Sequence, residues 1–107
     1  VGGDSLASNT SGSNNTGVGF QSLYSNTTAS NNSALGNAAL YTNSGGTHNT
    51  AIGSSSQFYN TGSDNTSLGS YSLRENATGA SNTALGKQAM RLNTTGSNNT
   101  ASGYQAL

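Results

Sequence analysis

The chain has no cysteine, no proline and no tryptophan among its 107 residues, and only 6% of them are charged. Each absence excludes something. Without cysteine there is neither a disulfide framework nor a thiolate metal centre, and the redox compartment is left open. Without proline every N–H remains free to join a backbone ladder, which is unexpected in so loop-like a composition. Three Lys/Arg against three Asp/Glu leave no net charge, so nucleic-acid binding has no electrostatic footprint. No run of 18 apolar residues occurs, so no membrane-spanning helix is expected. The chain opens on Val1 rather than methionine, as a mature product or a fragment would.

What is present is glycine, serine, threonine and asparagine. Low hydrophobicity argues for disorder when it comes with high net charge. A neutral Asn/Thr-rich chain instead repels itself poorly and tends to stack. Residues 11–23, SGSNNTGVGFQSL, and residues 95–107, TGSNNTASGYQAL, nearly coincide. Gly2, Gly19, Gly36, Gly53, Gly69, Gly86 and Gly103 follow one another at steps of 17, 17, 16, 17, 17 and 17 residues. Four before each later glycine stands Asn15, Asn32, Asn49, Asn65, Asn82 or Asn99, followed by Thr or Ser. Immediately before the glycines sit Val1, Val18, Leu35, Ile52, Leu68, Leu85 and Ser102. Four after them sit Leu6, Leu23, Leu40, Gln57, Leu73, Met90 and Leu107. Seven after them stand Asn9, Asn26, Asn43, Asn60, Asn76 and Asn93.

A period near 17 is too short for a helix–turn–helix unit, and these residues are poor helix formers. It predicts an all-β fold: a parallel β-solenoid (β-roll or β-helix) of about six to seven coils, one of them a residue short. The whole chain, 1–107, reads as a single array and as a segment of a longer fibre. One strand is expected at N-T-A-(I/L)-G and a second around x-(A/S)-L-x, with N-T-T-G-S-N as the main turn. Coils stacked at roughly 4.8 Å would give a rod about 30 Å long. Both Asn columns should form ladders, each amide bonding the amide of the next coil. Strand alternation places the residue before glycine on the same face as the Thr two positions earlier, and that face is expected to point inward with the Leu column. The missing residue falls after Asn60, where NTG replaces NTTG. Gln57 stands in that same coil where Leu belongs, and Phe58 is expected to turn inward in its place.

A core of about two hydrophobes per coil is thin. It leads us to expect self-association, as a trimer of parallel solenoids or an end-to-end fibril. The phrases NTAIG (49–53), GYQAL (103–107) and NTTGSNNT (93–100) resemble repeats of bacteriophage tail-fibre shafts and related bacterial surface fibres. They are also similar to the head repeats of trimeric autotransporter adhesins. The resemblance covers the whole chain. It implies a non-enzymatic structural rod, extracellular or on a virion surface, and a homotrimer.

Little in the chain carries chemistry. His48, the only histidine, lies in a turn, in a column with Asn14, Asn31, Asp64, Ser81 and Asn98. A polar surface residue is its ordinary reading. Asp4, Asp64 and Glu75 fall at three different phases, so no acid–base pair or oxygen cage for a metal is expected. No enzyme, cofactor or metal is anticipated. One surface column stands out: Ala7, Tyr24, Tyr41, Phe58, Arg74 and Arg91, with Glu75 and Lys87 nearby. It should point outward. It reads either as a stripe for glycan or receptor contact or as a surface packed against a neighbouring chain. N-x-S/T sequons at Asn9, Asn14, Asn26, Asn31, Asn65, Asn76, Asn93 and Asn98 make glycosylation a further expectation, since turns are accessible. Ice binding is a third function class, because flat Thr-rich solenoid faces can support it. The inward parity expected of the strand Thr column weighs against it, as does the irregular placement of Thr27, Thr28, Thr94 and Thr95.

Overall fold

The computed structural model describes residues 1–107 as a parallel β-solenoid. Each coil contributes one three-residue strand: β1 (Thr16–Val18), β2 (Ser33–Leu35), β3 (Thr50–Ile52), β4 (Thr66–Leu68), β5 (Thr83–Leu85) and β6 (Thr100–Ser102). They form one six-stranded parallel sheet in chain order. The register pairs equivalent residues at every step, including Ile52 with Leu68 across the short coil. Extents of 34 × 21 × 17 Å make the molecule a short rod, close to the length expected from coil spacing. The Val1 phase adds no strand, so there are six strands for seven glycines.

The second expected strand does not form. The x-(A/S)-L-x segment is a stack of turns, because its Leu column takes the left-handed conformation: φ is 52° at Leu23, 51° at Leu40 and 48° at Leu73. Twenty non-glycine residues have positive φ, and they occupy only three columns: the Leu column, the position two residues before it, and the Asn14/His48 column. A left-handed residue costs roughly 1–2 kcal/mol. Here the turn aims the N–H of these residues along the rod, while the C=O of the Leu column closes its own coil, as Leu23 O accepts the Asn26 N–H at 3.2 Å. Leu23 N–H donates to Ala39 O at 2.9 Å, and Leu40 N–H donates to Ser56 O at 3.0 Å. Inter-coil hydrogen bonding therefore runs through the turns as well as through the sheet.

The glycine column has a separate reason. At Gly69 (φ +135°) an added Cβ would fall 2.6 Å from the carbonyl carbon and oxygen of Gly86 in the next coil. Both the left-handed backbone and the close approach of stacked chains exclude a side chain there.

The parity of the strands is opposite to the expected one. Each strand buries its middle residue and exposes the two beside it more. The inward column is Gly17, Ala34, Ala51, Ser67, Ala84 and Ala101, while the Thr and aliphatic columns face outward; Leu35 is 49% and Leu68 48% exposed. The cause is lack of room. The Leu column enters from the opposite side of the coil and is fully buried at Leu23, Leu40 and Leu73. At Gly17 a Cβ would already meet Ser5 Oγ at 2.6 Å and Ser22 Oγ at 2.9 Å. A coil this narrow holds one large side chain, and the facing strand must supply small ones.

The core is accordingly two small clusters. Leu23, Ala34, Ala39, Leu40 and Ala51 form one. Leu73, Ala84, Ala89, Met90 and Ala101 form the other. Between them lies a polar layer at Gln57, which is completely buried. Its Nε2 donates to Thr50 O (2.9 Å), Asn65 O (3.3 Å) and Ser67 Oγ (2.9 Å), and Ser56 Oγ joins Ser72 Oγ at 3.1 Å. The expected inward turn of Phe58 does not occur. Gln57 keeps the Leu position by finding hydrogen-bond partners, and Phe58 stays half-exposed in the outer stripe. The position of the missing residue is as expected. Every regular coil closes with an Asn Nδ2 donating to a carbonyl three residues on, as Asn43 to Gly46 O, whereas Asn60 donates to Gly62 O two residues on.

Candidate functional surface

Asn ladders line the turns. Asn26, Asn32, Asn43, Asn49, Asn60, Asn65, Asn76 and Asn82 are fully buried. In the column Asn9, Asn26, Asn43, Asn60, Asn76, Asn93 the amides bond one another as expected. Asn26 Nδ2 donates to Asn9 Oδ1 at 2.8 Å, and Asn93 Nδ2 to Asn76 Oδ1 at 2.6 Å. The rung between Asn43 and Asn60 is missing, and Asn43 Oδ1 is left without a partner. The other column works differently from the expectation. Asn15 Oδ1 accepts the backbone N–H of Asn32 at 3.0 Å, and the pattern repeats through Asn49, Asn65, Asn82 and Asn99. Each of these Nδ2 groups up to Asn82 donates to a turn carbonyl of the following coil, as Asn32 to Gly46 O at 2.8 Å. This ladder ties side chain to backbone and crosses the short coil intact. Asn32, Asn49, Asn65 and Asn82 are buried with both side-chain polar atoms engaged, which makes this ladder structural.

Burial also corrects the sequon reading. Asn26, Asn65 and Asn76 are fully buried and hydrogen-bonded, so their turns are not accessible. Asn9 and Asn93 are half-buried within the ladder, and only Asn14, Asn31 and Asn98 present an exposed amide. His48 is exposed in the same outer column, its Nδ1 3.2 Å from Thr47 Oγ1.

The aromatic column points outward, but it packs against itself. The Tyr24 and Tyr41 rings stack at 5.0 Å between centroids, and Tyr41 and Phe58 at 4.8 Å, with planes within 5° of parallel. These separations match the spacing between coils. Arg74 continues the stack, its guanidinium 5.4 Å from the Phe58 centroid and 5.2 Å from that of Tyr59, while its Nη1 pairs with Glu75. Arg91 stands exposed beyond it. The faces of Tyr41 and Phe58 are covered by their stack neighbours, so the stripe shows mainly edges and hydroxyls. A sugar that stacks on an aromatic ring needs an open face. The column braces itself from coil to coil through this stacking.

The remaining surface of note is the outer face of the sheet, two rows wide. Thr16, Ser33, Thr50, Thr66, Thr83 and Thr100 form one row, and Val18, Leu35, Ile52, Leu68, Leu85 and Ser102 the other. A shallow trough runs between the rows over β1–β3. Sequence reasoning missed this surface because it turned the strands the wrong way. The presence of small residues between Thr and the aliphatic position was the available signal. Comparison with protein-family models, with curated proteins and with solved structures gives no match. The class of the molecule is set by its own geometry, a parallel β-solenoid with Asn ladders.

Proposed function

We propose that the chain is a rigid spacer segment of a fibre displayed outside the cell or on a virion. The observation that carries this reading is the continuity of its axial hydrogen bonding. Sheet, turn stack and the Asn15-to-Asn99 ladder all run along the 34 Å axis, and none is interrupted at the short coil. A rod so cross-linked resists bending, because tilting one coil strains every ladder at once. The resemblance of NTAIG and NTTGSNNT to fibre-shaft repeats supports the same reading.

Fusing two copies in register through a 17-residue step tests it by small-angle X-ray scattering. A stiff rod doubles its maximum dimension from about that of a 34 Å particle. A dimension that grows only as the square root of length, as in a flexible chain, would refute the spacer. Antibody labelling of intact cells or particles of the source tests the exterior location, and labelling only after lysis would refute that part.

A further inference from the structure

Parallel sheets are ordinarily covered on both faces. Here the outer face of β1–β6 is open, and its chemistry is regular. Among its twelve positions there is no Asp, Glu, Lys, Arg or His. It is bounded on one side by the Asn15-to-Asn99 ladder and on the other by the closely stacked glycine column. The hydroxyls of the Thr row form no hydrogen bond within the protein. Threonines elsewhere do: Thr10, Thr42 and Thr61 each donate to a main-chain carbonyl of the next coil. The strand hydroxyls are thus spaced by the sheet register yet left for an outside partner.

We infer that this face binds crystalline water, that is, the surface of ice. Apolar groups restrict the orientation of first-shell water, and hydroxyls anchor ordered water by direct hydrogen bonds. Here one methyl-bearing and one hydroxyl-bearing row run side by side in a regular grid, with a shallow trough between them over β1–β3. Its spacings are about 4.8 Å along the rod and about 6.7 Å across it. The axial repeat is close to an oxygen repeat of hexagonal ice, and rigid ladders fix it. An ordered, uncharged ligand with a matching repeat is the one that such a grid fits. A second copy of the chain fits less well. Face-to-face packing would bury six hydroxyl groups that the chain leaves without partners. The inference does not rest on the fibre reading, since a spacer and an ice-binding rod require only the same fold.

The experiment is thermal hysteresis and ice-recrystallisation inhibition on the intact chain, folded by circular dichroism, at up to millimolar concentration, with sedimentation in parallel. Facetted crystals and a freezing gap are expected from a monomer. Thr50→Tyr and Thr66→Lys, both pointing into solvent, should reduce the gap at least threefold with an unchanged melting curve. Thr28→Tyr, on the turn side, should leave it unaltered. A folded monomer without hysteresis or recrystallisation inhibition overturns the inference. So does an oligomer that Thr50→Tyr dissociates, since the face would then lie between copies. Equal loss in Thr28→Tyr would overturn it as well, because the active surface would be elsewhere.

Discussion

Replacing Gln57 by leucine should stabilise the protein, although it removes three hydrogen bonds. The Gln57 side chain is completely buried, and its Oε1 has no partner. An unsatisfied buried carbonyl costs about 1–3 kcal/mol. Leucine removes that cost and adds about 1.5–3 kcal/mol of apolar burial, joining the two core clusters into one. Against this stand the three Nε2 bonds, worth about 0.5–1.5 kcal/mol each net. Two of their acceptors keep other partners: Asn65 O accepts the N–H of Thr50, and Ser67 Oγ meets Ser56 Oγ. The balance favours leucine by about 1 kcal/mol, and a melting temperature about 4–8 °C higher is expected for a chain of this size. Differential scanning calorimetry, checked by urea unfolding, reads it directly. The reciprocal changes Leu40→Gln and Leu73→Gln place the amide opposite Ala51 and Ala84, which lack the hydroxyl of Ser67, and should cost about 2–4 kcal/mol. A Gln57→Leu variant that melts below the parent would refute the reasoning. The hydrogen-bonded layer would then be worth more than continuity of the core.

Three further outcomes follow from the ladders. Gly69→Ala should cost about 3 kcal/mol or more, because its Cβ meets the Gly86 carbonyl; Gly103→Ala, with nothing within 4 Å, should pay only for its φ, about 1 kcal/mol. Thermal melts of the pair separate contact from conformation. Asn82→Ala strips the only acceptor from the Asn99 N–H and one of two donors from the Gly96 carbonyl and should cost about 2–4 kcal/mol, whereas Asn98→Ala, in the exposed column, should pay only for its left-handed φ, about 1 kcal/mol. Secretion from a glycosylating host should give folded protein carrying sugar only at Asn14, Asn31 or Asn98, and peptide mass mapping that finds occupied Asn26, Asn65 or Asn76 would contradict the ladder geometry.

The repeat was legible because stacking demands it. Coils in register must place like residues over like, so the 17-residue step, the inward Leu column and the shortened turn after Asn60 could all be read directly. Strand parity could not. Alternation tells which residues share a face, and Thr50 with Ile52 against Ala51 is as consistent with one assignment as with its mirror. Apolar character favoured placing Ile52 inside. The deciding quantity was the width of the coil, which no single repeat reveals: with Leu40 and Leu73 entering from the far side, only alanine, serine or glycine fits opposite. The left-handed leucines were hidden for a related reason. Leucine is a poor αL residue by itself, and it adopts φ near 50° only because stacked turns over-determine it. The outer sheet face was therefore missed, while the aromatic column was placed correctly and only its role was left open.

The short coil and the polar layer fall in the same place, and this has a physical reading. A column of identical hydrophobic residues is degenerate. Slipping one half of the stack by a whole coil would keep leucine over leucine and lose contacts only at the ends. Gln57, bonded to Ser67, and the neighbouring Ser56–Ser72 pair break that degeneracy, because a slipped arrangement sets alanine opposite the amide in place of the Ser67 hydroxyl. The turn from Asn60 to Gly62 does the same from outside, since it matches no other coil in length. The cost is visible in the unpartnered oxygens of Asn43 and Gln57. Specificity bought with buried polar groups usually lowers stability. The gain expected from Gln57→Leu is then the energy that the native chain gives up to hold one register. The sheet pairing of Ile52 with Leu68 and the Asn65 N–H bond to Asn49 Oδ1 let the rod absorb that interruption without a break in its axis.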